Sequence, residues 1–323
     1  MAKKEAKSEK SGTGMKIGKI LLWIFAVIGI LIILLVVWVL VFNGSDNNVS
    51  EINSLWNEYD RVFDLFSKEY GVASPGDVTS LAVLPRALAG LENAQRYLLV
   101  LEANATQVTE KISSVKEKYD GDQLEWLNSV EECYTGELAR IKLYEEILEN
   151  ERAYFKYYES DKNYDKTYEE FIQLLASASS LTTDQESITW LNNAKAKVVL
   201  LKGYAESAYA AIPFTYYQKT IVWATKYIEG TDFGLQYTAS PSQELYKQMN
   251  DKYTEAANAL QGVTKSAVEE EFDKWYNEKI TLKQDEVDRT FNQLNNDCKN
   301  ANSLFATAFP GNANVIAEIN ASA

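Results

Sequence analysis

Residues 84–119, LPRALAGLENAQRYLLVLEANATQVTEKISSVKEKY, decide the fold class. Leu84, Ala87, Leu91, Ala94, Leu98, Leu101, Ala105, Val108, Ile112, Val115 and Tyr119 recur in alternating steps of three and four, and every one is apolar or aromatic. A strand would show a period of two; this is the seam of a long helix packed along a neighbour in coiled-coil fashion. The seam ends at Tyr119-Asp120-Gly121-Asp122, where glycine can take a left-handed conformation and turn the chain. A second stripe continues at Leu127, Val130, Tyr134, Ile141, Tyr144, Leu148, Phe155 and Tyr158, so two long helices form an antiparallel hairpin.

The same spacing recurs on both sides of this hairpin. Before it lie Ile52, Leu55, Tyr59, Val62 and Phe66. After it come the stripes that begin at Tyr164, Ile188, Phe214, Leu245 and Val287, the last closing at Ala308 before Pro310-Gly311. A polar junction is expected around residues 161–169, and a looser stretch at residues 230–241. No segment alternates with period two between hairpin turns. The expected fold is all-α, an elongated multi-helix bundle. The echo of Asp122-Gln123…Trp126-Leu127-Asn128 in Asp184-Gln185…Trp190-Leu191-Asn192 keeps an α-solenoid of helical hairpins as the alternative.

Residues 20–42, ILLWIFAVIGILIILLVVWVLVF, carry no charge. A helix of that length reaches roughly 35 Å, enough to cross a hydrocarbon core of about 30 Å. Six lysines (Lys3, Lys4, Lys7, Lys10, Lys16, Lys19) precede the run, and no lysine or arginine follows it up to Asp60. That asymmetry holds the amino terminus in the cytoplasm. The run is longer than the apolar region of a cleaved signal and exits without a small-x-small site, which reads as an uncleaved signal anchor. The expected organisation is a lysine-rich cytoplasmic tail (1–19), a membrane span (20–42), an extracytoplasmic helical domain (43–309, with a possible subdivision near 180 or at 230–241) and a carboxy-terminal tail (310–323). The expected localisation is the cell membrane, single-pass.

The whole chain holds 32 Lys+Arg and 46 Asp+Glu. The first 42 residues contribute six lysines and two glutamates, leaving 26 against 44, a net charge of −18 for residues 43–323. Such a surface repels anionic lipid and nucleic acid and suits cations, a basic partner or plain solubility. The chain contains no histidine. This removes Ser-His-Asp and Cys-His nucleophile systems, imidazole acid/base work and His-ligated metal sites. No cofactor is expected.

Several local patterns invite a functional reading. Cys133 and Cys298 stand beyond the membrane in the expected topology, where either a disulfide or two buried free thiols fit. Asp161-x-Asn163-x-Asp165 has the alternating oxygen donors of a calcium loop, but Lys166 and Ile172 stand where such a loop needs its glycine and its bidentate acid. Ser113-x-x-Lys116 matches a Ser/Lys nucleophile pair with Val115 of the packed seam inside it. Tyr154, Phe155, Tyr157, Tyr158, Tyr164 and Tyr168 cluster closely enough to line a sugar-binding or partner-binding face, although much of the set sits at core spacing. Asn43, Asn48, Asn104 and Asn320 each head an N-x-Ser/Thr sequon. Glu206-Ser207-Ala208-Tyr209, with Gly234-Leu235-Gln236, resembles the helical lytic transglycosylases over about seven residues. That resemblance implies a buried general acid at Glu206, and no downstream Tyr-Asn-Ala-Gly-like element completes it.

The function expected from these features is binding or structural. A tethered extracytoplasmic scaffold would contact another envelope protein, or a second copy of itself, through helix faces. A glycan-acting carboxylate enzyme and a ligand-binding receptor-like ectodomain are the alternatives.

Overall fold

The structure, a computed structural model, describes residues 47–73, 75 and 78–309. The expected membrane span, the lysine-rich tail, the carboxy-terminal tail and the sequons at Asn43 and Asn320 lie outside the described residues. No helix among the described residues is long and apolar enough to cross a membrane.

All regular structure among the described residues is helical. The order is α1 (Asn47–Val72), α2 (Leu84–Val115), α3 (Gly121–Ala176), α4 (Asp184–Ala211), α5 (Thr215–Ala239), α6 (Gln243–Ala259), α7 (Ser266–Tyr276) and α8 (Leu282–Ala308). Short 3-10 turns occupy Lys116–Lys118 and Ser177–Ser180, and α7 runs into α8 through a π turn at Asn277–Thr281. Among the described residues, seven continuous helical segments therefore pack as a bundle. Residues 47–54 form the first turns of α1, and the main compact unit begins at Leu55.

The seam that defines the fold class is the buried face of α2. Its members from Leu84 to Val115 are all buried, and α2 packs along α3. Each fully buried Leu or Val contributes roughly 1.5–3 kcal/mol of apolar transfer energy. This face, rather than helix propensity, holds the 32-residue helix in place. Tyr119 leaves the helix in extended backbone, and Gly121, at φ 51°, turns the chain into α3.

α3 departs from the sequence expectation. It is continuous over 56 residues, about 84 Å, and does not pause at residues 161–169. Asp161 and Asp165 lie one helical turn apart and pair with Lys265, so these polar residues answer a cation on another element and mark no break. α3 packs against α2, α4 and α8 and passes through two aromatic cores. Towards its start, Tyr134 meets Trp56 and Tyr59 edge-on, and Tyr144 meets Phe66. Towards its end, Tyr157, Tyr164 and Phe171 join Tyr217 and Trp223 of α5.

Residues 230–241 also differ from expectation. α5 stays helical through Gly230 and Gly234 to Ala239 and breaks only at Ser240. The glycines are there for close approach. A Cβ on Gly230 would sit 3.0 Å from the Tyr253 ring of α6, and one on Gly234 would sit 3.4 Å from Met249 Sδ. The α4 entry obeys local chemistry: Thr183 Oγ1 accepts from the Glu186 N–H, and Glu186 accepts from the Thr183 N–H in return, a complete capping box.

The α3–α8 crossing is tighter still. A Cβ on Gly136 would fall 1.9 Å from Leu294 Cδ2, and Leu294 is buried. Gly136→Ala is expected to cost about 1–3 kcal/mol by overpacking, against about 1 kcal/mol gained in helix propensity. In a Leu294→Ala background the same change should become neutral or stabilising. Denaturant unfolding of the four proteins in this cycle checks the pairing, and additive effects would contradict it.

Candidate functional site

Two polar-aromatic clefts are built on α3. The first, of about 170 Å³, lies between α1, α3 and α8. Glu137 anchors it. Its Oε2 accepts from Tyr59 OH at 2.6 Å and pairs with Arg140 Nη2 at 2.5 Å, one turn along the same helix. Both partners are nearly buried, and the guanidinium lies 4.3 Å from the Phe63 ring centroid and 5.4 Å from that of Phe291. Burial opposes the Arg140 charge; Glu137 and Tyr59 outweigh it, and the group stays cationic with a raised pKa. Burial first, then the Glu137 charge, pushes Tyr59 well above its ordinary value, so its hydroxyl is a lasting donor. At the rim, Asp60 is raised to about 6, first by desolvation of its carboxyl group and then by the charges of Glu137 and Asp64, although the residue as a whole remains open to solvent.

The second cleft is larger, about 650 Å³, and lies between α3 and α7. Tyr154, Tyr157 and Tyr158 line its α3 wall, and Phe272 lines the α7 wall. Phe272 stacks on Tyr157 at 5.7 Å and lies 5.6 Å from Tyr154. Rings rather than backbones bridge the two helices. One end is closed by charge: Lys265 Nζ lies 2.9 Å from Asp161 Oδ1, is bonded to Asp165, and sits 5.6 Å from the Tyr164 ring centroid. Asp161 also accepts from Tyr217 OH. Desolvation lowers the Lys265 pKa and the two carboxylates raise it, with a net rise.

Asp161, Asn163 and Asp165 do not form a cation loop. They lie within α3, Asn163 Nδ2 donates to the Glu159 carbonyl, and the Lys265 ammonium takes the place between the two carboxylates. No group of acidic or thiol side chains among the described residues has the geometry to hold a metal ion. Glu206 is exposed on α4 and lies 3.7 Å from Lys202 one turn earlier, so it lacks the desolvation that a general acid needs. Ser113 and Lys116 both direct their polar atoms to Glu131. Asn48 stands in the first turn of α1. Asn104 is buried on the seam of α2, where a glycan would have to displace packing.

Cys133 and Cys298 form a disulfide, with Cα atoms 5.1 Å apart across a sequence separation of 165. It clasps α3 to α8 and forms part of the wall of the first cleft. Of the aromatic cluster, Phe155, Tyr157 and Tyr164 are core, Tyr154 and Tyr158 are partly open to the second cleft, and Tyr168 is exposed. The contribution of α7 and the residue before it (Lys265, Glu269, Phe272 and Asp273) is not legible as a site in the sequence. An eleven-residue helix shows too few turns for a stripe, and only the spacing of Val268, Phe272 and Tyr276 signals it.

No family model, curated protein or solved structure matches the chain. Chemically, the two clefts offer donors, carboxylates and ring faces, which recognise cationic and hydrogen-bonding groups. They do not bring together a nucleophile, a base and an oxyanion stabiliser.

Proposed function

We propose that the protein is a single-pass membrane-anchored scaffold whose helical domain lies outside the cytoplasm and binds a partner protein of the cell envelope. The observation that carries this reading is the Cys133–Cys298 disulfide. Disulfides persist in oxidising compartments and are rare in reducing ones. The bond therefore agrees with the export direction implied by the lysines ahead of residues 20–42. The bundle adds a rigid presenting surface: α3 is tied to α8 covalently, to α2 by the apolar seam, and to α4 and α5 by the second aromatic core. On this reading the work of the protein lies in the contacts of the outer domain.

The experiment is a crosslinked pull-down of the full-length protein from its native membrane, with a protein truncated after residue 46 as the control. The expected result is a partner retained only by the full chain, with crosslinks on lysines of α3 to α8. Recovery of the same proteins by the truncated control would contradict the reading.

A further inference from the structure

Resting on the partner-binding role above, we propose that the α3–α7 cleft is the partner surface and that it seats an arginine-bearing, basic segment of the bound protein. The cleft already holds cations of its own. The Lys265 ammonium lies between Asp161 and Asp165 over Tyr164, and Lys162 Nζ stands 5.5 Å from the Tyr158 ring centroid. Two further carboxylates, Glu269 and Asp273, face the same space from successive turns of α7. Both residues are exposed, and neither side chain has a hydrogen bond or ion pair among the described residues. The Phe272 ring of α7 and the Tyr154 ring of the α3 wall line the same space, 5.6 Å apart.

Carboxylates beside a ring face match a guanidinium better than an ammonium. The planar fork stacks on the ring while its edge hydrogen-bonds the acids. The first cleft shows the same chemistry with an internal arginine, where Arg140 lies over Phe63 and pairs with Glu137. Four carboxylates against two lysines line the α3–α7 cleft. The domain around it carries −18 (26 basic against 44 acidic residues), a field that draws basic segments and repels acidic ones.

The test measures binding of two end-blocked synthetic octapeptides, one alternating Arg and Gly and one alternating Glu and Gly, to the full-length protein in detergent micelles. The Arg peptide is expected to bind and the Glu peptide not to. Glu269→Gln with Asp273→Asn should weaken Arg-peptide binding at least tenfold, and Tyr154→Leu should weaken it as well. The pair Glu244→Gln with Asp251→Asn, on α6, removes equal charge elsewhere and should change it less than twofold. All four acids are exposed, so folding is preserved. No binding of the Arg peptide, equal loss from both charge-removing pairs, or equal affinity for a Lys/Gly peptide would each overturn the assignment. The assay needs no membrane orientation and no native partner, so its failure is distinct from a failed pull-down.

Discussion

Replacing Cys133 and Cys298 with serine is expected to lower the unfolding free energy by about 2–5 kcal/mol. The loop that the bond closes spans 165 positions. At that length the chain-entropy model gives about 5 kcal/mol, and measured values commonly fall below the model. The bond adds a covalent tie between α3 and α8, which also pack along each other. At the α3–α8 crossing, Gly136 makes room for Leu294 and the disulfide lies one turn away. Denaturant unfolding of the oxidised, reduced and doubly substituted proteins measures it. The reduced wild type and the double serine variant should coincide, and a midpoint unchanged by reduction would refute the clasp.

The second large effect is at Glu151. This residue is fully buried on α3, its Oε1 accepts from Tyr70 OH at 3.3 Å, and its Oε2 has no partner among the described residues. Tyr70 in turn accepts from Gln284 of α8 at 3.1 Å, so a chain of hydrogen bonds links α1, α3 and α8. Burial raises the Glu151 pKa from 4.5 to about 8, against a small opposing effect of the Tyr70 hydrogen bond. The folded state therefore binds a proton that the unfolded state has already released. The Glu151 contribution to stability is fully present below about 4.5 and falls as pH rises to about 8, by about 1.4 kcal/mol per pH unit. Glu151→Gln should be near neutral at pH 4.5 and stabilising by roughly 3–5 kcal/mol at pH 8. Unfolding of both proteins across that range tests this; parallel pH profiles would contradict it.

The residues behind both effects are only half legible in the sequence. Periodicity is enough for the elements whose burial is continuous. The α2 seam reads straight off residues 84–115, and Gly121 reads as a turn because few other residues tolerate that conformation. Polar residues mislead where their partner lies far along the chain. Asp161 and Asp165 look like a junction until Lys265, 100 positions after Asp165, is placed between them. Gly230 and Gly234 look like a loop until the Tyr253 ring and Met249 occupy the missing side chains' space.

The candidate sites divide in the same way. The cluster from Tyr154 to Tyr168 is visible in the sequence, but periodicity does not separate the rings that pack from those that line a cleft. That depends on α7, whose eleven residues carry little pattern. Glu206 shows the reverse case, where a short resemblance points to an acid on a surface that leaves it solvated.

The central claim, an outer domain tethered to the membrane, is tested most directly by trapping thiols in intact cells with a bulky maleimide after acid quenching. Cys133 and Cys298 are expected to resist modification until a reductant is added. The protein should remain with the membrane after alkaline carbonate extraction and be cut by protease supplied from outside. Free thiols together with release by carbonate would contradict the account.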